Sequence, residues 1–513
     1  MATTAETSTA RSSGQLQSEG PLLPPARRVS LGPRALALPS AFAAALIAFG
    51  LIGAIRQNTN LLWSVLGAGI ALLSWTALLF ALAVGRRRPL TLEIVVRKQH
   101  YLQACAQGSV LLYWGWHWPQ VSLHLVAAQL LFAYAFDMLL SWSRRDTYSL
   151  GFAPFPVIFS INLFLWFKQD WFYLQFLMVA LGFAAKELIR WERDGRRVHI
   201  FNPSSFPLAV VSLVLILTRT SDMTWGNEIA ITQFYPPHMY LWLFLIGLPG
   251  QFFFGVTTMT MSAVMSTYLF GLAYFAVTGT YFFYDSYIPI AVFLGMHLLF
   301  TDPSTSPRTE LGRIIFGTLY GLSAVALYEL LGRAGLPAFY DKLLQVPILN
   351  LSVKLIDSAT RSKALRAFDP ATMGQTLAPR QRNVAYMSIW ATVFTAMSAV
   401  QGVGDAHRGQ WVPFWQQACR EGRPRACAYL FNLESIYCNA GSRWACNEVA
   451  NAERVAAGAG ALQSAPPTLD DYPIILRGSK GPITDRTPSA LYARACRQGW
   501  PDTCGRPGRT GGD

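Results

Sequence analysis

The chain has 513 residues, of which 52% are hydrophobic and only 14% are charged. This balance excludes an ordinary soluble multidomain protein, because soluble domains carry about 25% charged residues. The formal net charge is +14, but the basic residues cluster beside apolar runs. They therefore indicate the cytoplasmic loops of a membrane protein and not a nucleic-acid-binding surface. The predicted partner is membrane lipid.

Residues 1–33 are rich in Ser, Thr, Ala and Pro and lack an apolar core, so we predict a disordered cytoplasmic tail without a signal peptide. Residues 34–98 contain two apolar runs that predict two N-terminal membrane helices. Most other runs lie within residues 99–335, which predict the main membrane domain. The basic stretch 336–383 is predicted to be a cytoplasmic linker, and the run 384–401 the final membrane helix.

Twelve apolar runs can be counted, and the longer ones match the ~20 residues that a helix needs to cross a bilayer. A cytoplasmic N-terminus and a periplasmic C-terminus require an odd number of crossings. We therefore predict either that one run does not cross the membrane or that the chain has one further crossing outside these twelve runs. The short runs 204–218 and 287–302 are the candidates for re-entrant half-helices.

Residues 402–513 contain six of the seven cysteines, in three copies of the pattern C-x-x-G-x-x-x-[AT]-C. The glycine can end one helix in the left-handed conformation, and a second helix can begin three residues later. A bridge within each copy would fasten a helical hairpin. Zinc and free thiols are the competing interpretations, but zinc sites favour cysteines separated by roughly two to four residues. The paired positions are Cys419 with Cys427, Cys438 with Cys446, and Cys496 with Cys504.

This C-terminal region resembles the cysteine-rich form of Sel1-like helical repeats, in which such cysteine pairs are disulfide-bonded. The resemblance covers about residues 414–505. It implies a small, disulfide-stapled α-helical domain in an oxidising compartment, which for a bacterium is the periplasm.

Two segments of the membrane region look alike, because each places a short polar residue before a proline at the edge of an apolar run. One contains Asn202-Pro203 and the other Asp302-Pro303. Such a residue can cap a helix, but a duplicated broken helix also indicates a binding site in membrane proteins built from repeats. A third segment, Gly247–Thr258, interrupts an apolar run with glycine, proline and hydroxyl groups. These groups either bind a polar or anionic ligand or permit close helix packing.

From about Gln99 to Leu331, the chain resembles the RnfD/NqrB family. Its members are membrane components of the Rnf electron-transport complex and of the sodium-pumping NADH:quinone oxidoreductase. The most specific match is Thr301–Pro307 followed by Gly312–Gly317. The residues around His199–Pro203 are similar to a divergent branch, the UnbU-like proteins found with enediyne biosynthesis.

The resemblance implies an all-α, polytopic membrane helical bundle with internal five-helix repeats, which holds flavin and passes electrons. Family members with covalent FMN present Ser-Gly-Ala-Thr in an outer loop, where this chain has Asp222–Thr232 instead. We therefore expect non-covalent FMN or riboflavin, or a quinone, and no covalent FMN. No C-x-x-C-H motif occurs, so haem is not expected. The predicted cofactor-binding residues are Asn202, Gly250, Gly255, Thr257, Thr258 and Asp302.

The sequence thus predicts a membrane subunit of an electron-transport system that works with redox partner subunits. A channel or transporter for a small polar solute or ion is the first alternative, because the implied fold is similar to that of urea transporters. A membrane scaffold that recruits a periplasmic partner protein is the second. No catalytic residue or metal ligand is assigned, since the motifs of soluble enzymes are absent. The expected location is the bacterial inner membrane, with a cytoplasmic N-terminus and a periplasmic C-terminal domain.

Overall fold

Most of the chain that the structure describes is helical. The computed structural model describes residues 27–373, 377–400, 403, 407–460, 462, 464–476, 483 and 485–505. Seven helical segments in this part are long and apolar enough to cross a membrane, which supports the predicted helical membrane protein. They are Gly32–Leu51, Thr59–Gly85, Leu123–Arg144, Gln169–Leu188, Thr257–Thr278, Glu310–Arg333 and Pro379–Val400.

The N-terminal part is a helical hairpin with a short strand at each end. Its elements are β1 (Arg27–Ser30), α1 (Ala37–Ala48), α2 (Gly53–Arg56), α3 (Thr59–Gly85) and β2 (Thr91–Ile94). Residues 1–26 of the predicted disordered tail lie outside the described residues, whereas the next four form β1, which pairs antiparallel with β2. Helix α3 begins at Asn58, whose side-chain oxygen accepts the Leu61 N–H at 2.9 Å.

Two series of elements follow, and both contain long helices and one helix of nine residues. The first series is α4 (Lys98–His117), α5 (Leu123–Arg144), β3 (Thr147–Leu150), α6 (Pro154–Asn162), α7 (Phe172–Leu188), β4 (Arg190–Arg193), β5 (Arg196–His199), α8 (Ser205–Thr218) and α9 (Gly226–Thr232). The second series is α10 (Met239–Phe254), α11 (Thr257–Thr278), α12 (Ile290–Leu298), α13 (Glu310–Arg333) and α14 (Gln345–Thr360). The nine-residue helices are α6 and α12.

The strands were not predicted from the sequence, because each has only four residues. Strand β2 pairs antiparallel with β1 and parallel with β3, whereas β4 and β5 form a separate antiparallel hairpin. This pairing brings residues before α1, after α3 and after α5 to the same end of the bundle.

Helix α14 lies inside residues 336–383, the stretch predicted to be a cytoplasmic linker. It packs against α8 and α13. Near its start, the Tyr340 hydroxyl donates to Ser221 Oγ at 2.9 Å, just beyond the end of α8. Further along, Asn350 Oδ1 accepts the Asn202 N–H at 3.2 Å, just before α8 begins. Helix α14 therefore runs antiparallel to α8 along its length.

After α14 the chain forms α15 (Lys363–Arg366), α16 (Pro370–Met373) and α17 (Pro379–Val400), which packs on α10 and α11. The C-terminal region then contains α18 (Val412–Arg420), α19 (Ala426–Asn439), α20 (Arg443–Ala456), α21 (Tyr472–Ile475) and α22 (Pro488–Arg497).

All three predicted cysteine pairs are disulfide-bonded. Gly422, Gly441 and Gly499 have the positive φ angles that the repeated pattern predicts. The first two bridges join α18 to α19 and α19 to α20, so they staple helical hairpins as expected. The third bridge joins α22 to a short 3-10 turn, Pro501–Thr503, and not to a second α-helix.

The start of the C-terminal region is fastened to the loop 279–289 between α11 and α12. The Arg423 guanidinium donates to the Gly279 carbonyl at 2.6 Å. The Tyr429 hydroxyl donates to the Phe282 carbonyl at 2.7 Å. Arg425 forms an ion pair with Glu329 of α13. These bonds hold the first disulfide hairpin against the membrane bundle.

Glu434 gives the C-terminal region a pH dependence, because its carboxyl is buried within α19. Burial, followed by the charge of Glu448, raises its pKa to about 8. The folded state then keeps a proton that the unfolded state loses above its ordinary pKa of 4.5. The contribution of Glu434 to stability should therefore be greatest below pH 4.5 and decline as the pH rises towards 8.

We expect Glu434→Gln to protect this region from protease in the full-length protein at pH 8.5, with little effect at pH 4.5. The matched control is Glu421→Gln on the exposed side chain at the end of α18. An equal gain in protection at both pH values would contradict this origin of the effect.

Candidate functional site

A cavity of about 280 Å³ lies between α4, α10 and the end of α12. Its wall includes Gln107 of α4, Gly247 and Gln251 of α10, and His297 of α12. Gly247 and Gln251 are four residues apart and share one helix face. The remaining wall is mostly apolar, as in typical ligand sites, and the volume is near the lower end of their ~300–1,000 Å³ range.

His297 is a residue of the cavity wall, and one of its ring nitrogens is unpaired. Its Nδ1 lies 2.8 Å from the Phe293 carbonyl, which can only accept, so Nδ1 carries the proton. In the neutral ring Nε2 is then an acceptor, and it is buried without a hydrogen-bond partner. Thr301 Oγ1 donates to the His297 carbonyl at 2.8 Å, which satisfies one backbone acceptor at the end of α12.

Two glutamine side chains add further unpaired groups. Gln251 is 2% exposed, and neither its amide oxygen nor its amide nitrogen has a hydrogen-bond partner. Gln107 donates from Nε2 to Ser160 Oγ at 2.8 Å, but its Oε1 is unpaired. A buried amide group without a partner costs roughly 1–3 kcal/mol. These groups therefore indicate a site that a polar ligand completes.

A second set of buried amides shows the opposite arrangement. Asn162 Nδ2 donates to Gln129 Oε1 at 2.9 Å, and Gln129 Nε2 donates to Asn162 Oδ1 at 3.0 Å. Gln175 Nε2 also donates to Gln129 Oε1, at 2.9 Å. These three side chains satisfy one another, so this cluster supports the fold and requires no ligand.

The backbone of α10 is adapted to the cavity. A Cβ atom on Gly247 would lie 3.0 Å from Cδ2 of His297, so only glycine allows this close approach without displacing the ring. Pro249 lies inside the same helix and provides no N–H to the preceding turn. The Gly247-Leu248-Pro249-Gly250 segment therefore allows α10 to approach α12 closely beside Gln251.

One side of the cavity reaches the outer surface of the bundle, where Cys105 and Trp242 are exposed. Nearby positions on the same helices, Leu112, Leu241 and Leu245, are also exposed. This surface is apolar, as expected for residues that face lipid. Cys105 is the one cysteine outside the disulfides, and it provides a chemical probe at this side.

Gly250 is the only one of the six predicted cofactor-binding residues on the cavity wall. Asn202 caps the start of α8, since its Oδ1 accepts the N–H groups of Ser204 at 2.9 Å and Ser205 at 3.1 Å. Its Nδ2 donates to the Leu299 carbonyl at 3.1 Å. Asn202 thus joins the segment before α8 to the segment after α12.

Asp302 has a similar local role. Its carboxylate accepts the Ser304 N–H at 2.9 Å and the Ser304 hydroxyl at 2.6 Å, and it lies 3.5 Å from His199 Nε2. The Asn-Pro and Asp-Pro segments therefore meet, as a shared site would require. Their polar side chains are directed at each other and at backbone groups, and neither lines the cavity.

Gly255, Thr257 and Thr258 join α10 and α11 to their neighbours. Gly255 has a φ of 61° at the end of α10, and its carbonyl accepts from Arg313 at 2.6 Å. Thr258 donates to Glu310 at 2.7 Å, and Thr257 donates to Asn383 at 3.3 Å. Thr232, at the end of α9, is buried and accepts from Trp114 at 3.0 Å.

Neither Gln107 nor His297 was predicted from the sequence as a site residue. Gln251 stood inside the Gly247–Thr258 segment but was not selected. A usable signal was present, because uncharged amide side chains inside apolar runs need partners. The sequence contains several such residues, and it does not distinguish the satisfied Gln129 from the unsatisfied Gln251.

Comparison with protein-family models, curated proteins and solved structures found no match for this chain.

Proposed function

We propose that this chain is a membrane subunit of an electron-transport system, and that its cavity binds a flavin or quinone ring without a covalent bond. The observation that carries the proposal is the set of unpaired polar atoms on Gln107, Gln251 and His297. Electron donor and acceptor would be separate partner proteins or molecules. Membrane lipid would surround the bundle.

The available groups are compatible with either ring. A quinone carbonyl can accept from Gln251 Nε2, and the apolar wall can cover the ring faces. The imide edge of a flavin has an N–H donor between two carbonyl acceptors, so it can pair with both atoms of the Gln251 amide or donate to His297 Nε2. The ring system would supply the redox chemistry, while the chain positions it and excludes water.

The order of elements supports the expected relation to the RnfD/NqrB family. Helices α4, α5, α6, α7 and α8 have 20, 22, 9, 17 and 14 residues. Helices α10 to α14 have 16, 22, 9, 24 and 16 residues. Two successive sets of five helices with a short third helix are what a paired five-helix repeat would produce.

The test uses Cys105, because a ligand in the cavity should shield its thiol. Riboflavin and a short-chain quinone are added to the purified protein in nanodiscs, and alkylation of Cys105 by a maleimide is timed. We expect a bound ring to slow labelling, and Gln251→Leu to weaken this protection about tenfold or more.

The matched control is Gln345→Leu, since Gln345 is another buried glutamine with both side-chain polar atoms unpaired, and it is not on the cavity wall. This variant should retain protection by the ring. Purified protein that carries no flavin and binds neither added ring would reject the proposal.

A channel or transporter for a small polar solute is the second candidate. It is favoured by α6 and α12, which at ~1.5 Å per residue span only about 14 Å and leave non-helical backbone inside the bundle. Solute flux into proteoliposomes without an electron donor would favour this candidate. Flux that requires a donor would favour electron transport.

The proposed orientation places the N-terminus in the cytoplasm and the C-terminal domain in the periplasm of a bacterial inner membrane. The disulfides support an oxidising compartment for the C-terminal domain. A reporter that is active only in the periplasm should function when it is fused at Trp225 or Phe283 and fail at Pro370. Activity at Pro370 would contradict this topology.

A further inference from the structure

The buried unpaired atoms of the residues on the cavity wall are mostly acceptors. Gln107 Oε1, Gln251 Oε1 and His297 Nε2 can each accept a hydrogen bond, whereas Gln251 Nε2 is the one side-chain donor among these unpaired atoms. The tautomer of His297 follows from its bond to the Phe293 carbonyl, so its acceptor character is fixed by the α12 backbone. These buried unpaired atoms thus lack donors more than they lack acceptors.

This excess of unpaired acceptors discriminates between the oxidised and the reduced form of a quinone. The edge of an oxidised quinone carries only carbonyl acceptors, so it can use Gln251 Nε2 but leaves the three acceptors unpaired. A hydroquinone carries two O–H groups, and each can donate to one acceptor and also accept. An anion is disfavoured for the same reason, because acceptor atoms repel negative charge.

The apolar opening beside Cys105 and Trp242 adds a second constraint. Trp242 lies at this side, and the neighbouring α10 positions Leu241 and Leu245 are exposed leucines. Such an apolar surface suits an uncharged aromatic molecule dissolved in lipid and disfavours a phosphorylated one.

We propose that the cavity selects the reduced, dihydroxy form of a lipid-soluble quinone over the oxidised form, with His297 as a specificity-determining residue. This inference rests on the proposed function, since it concerns the same cavity. It assigns a preference for oxidation state, which the electron-transport proposal does not specify. The preference arises because each buried acceptor that stays unpaired reduces affinity.

The experiment uses two probes that do not form quinones, so no redox partner is needed. They are 2,7-dihydroxynaphthalene and 2,7-dimethoxynaphthalene, in which each O–H donor is replaced by a methyl ether. Their affinities are measured by protection of Cys105 from maleimide in nanodiscs, with a cysteine peptide in empty nanodiscs as the control for partitioning. We expect the dihydroxy probe to bind about tenfold more tightly to the unmodified protein.

His297→Phe removes the acceptor and keeps a flat ring, so the preference should fall to about threefold or less. His124→Phe is the matched control, because His124 Nε2 is also buried and unpaired but is not on the cavity wall. Gln107→Leu provides a second cavity variant in case His297→Phe does not fold, and it should reduce the preference as well.

Equal binding of the two probes would overturn the selection of the reduced form and leave the cavity as a binding site. A preference that persists in both His297→Phe and Gln107→Leu would overturn the role of these acceptors. If neither probe binds, and riboflavin and the quinone do not bind either, the proposed function itself is rejected.

Discussion

Replacing Gly321 by valine is expected to prevent the bundle from folding. Helices α11 and α13 pack at close range through Gly317 and Gly321, which have the small-x-x-x-small spacing of tightly packed membrane helices. A Cβ atom on Gly321 would lie 2.5 Å from the carbonyl oxygen of Ala263, and on Gly317 it would clash with the Met259 carbonyl. Backbone atoms cannot move aside as a side chain can.

The cost should exceed the ~1–3 kcal/mol typical of an overpacked core, because α11 and α13 must separate along their contact. The yield of monodisperse protein after detergent extraction, and its thermal unfolding, measure the effect. The matched control is Gly332→Ala in the same helix, where an added Cβ meets nothing within 4 Å. Normal yield and thermal stability for Gly321→Val would show that the two helices do not require this close approach.

Asp357→Asn should destabilise the protein by about 3–5 kcal/mol, because it leaves the Arg193 charge buried without its partner. Arg193 and Asp357 lie 2.6 Å apart, with side chains only 4% and 9% exposed. Asp357 also accepts the Arg308 N–H at 2.8 Å, and Arg193 donates to the Ser306 carbonyl at 2.8 Å. The pair thus joins α14 to the β4–β5 hairpin and to the segment before α13.

Asp194→Asn is the matched control, because Asp194 is half exposed and lies 3.7 Å from Arg308 and 3.6 Å from Arg361. Exposed pairs of this kind contribute about 0–1 kcal/mol. Thermal unfolding of both variants in nanodiscs measures the difference. A double variant, Arg193→Met with Asp357→Leu, should recover part of the loss, since it removes both buried charges. Equal melting temperatures for Asp357→Asn and Asp194→Asn would show that the buried ion pair contributes no more to stability than the exposed ones.

The C-terminal cysteine pairs were predictable because the pattern is local. Each copy contains the two cysteines, the glycine and the spacing within nine residues, and the three disulfides form as expected. Helix α14 was not predictable in the same way. Its sequence includes Asn350, Lys354 and Asp357, which make it look like a polar linker. Asn350 and Asp357 are buried because α8 and the β4–β5 hairpin supply their partners.

The number of membrane crossings is likewise not decided by local patterns. The sequence requires an odd number of passes if the disulfide region lies opposite the N-terminus, and it locates the difficulty at the short runs 204–218 and 287–302. In the structure, the stretch 336–383 contains α14, which packs along α8. The assignment of α8 and α12 as re-entrant remains a prediction.

By itself, the sequence determined the long apolar helices and the three disulfides of the C-terminal region, because hydrophobicity and short-range cysteine spacing are properties of continuous segments. It also identified the Asn-Pro, Asp-Pro and Gly-x-Pro-Gly segments. Only the tertiary structure decided which polar groups satisfy one another and which remain unpaired. Asn202 and Asp302 find partners at their own ends of helices, whereas Gln107, Gln251 and His297 meet around a cavity because α4, α10 and α12 pack together. Hydrogen-bond satisfaction depends on atoms far apart in the chain, so no local pattern contains it.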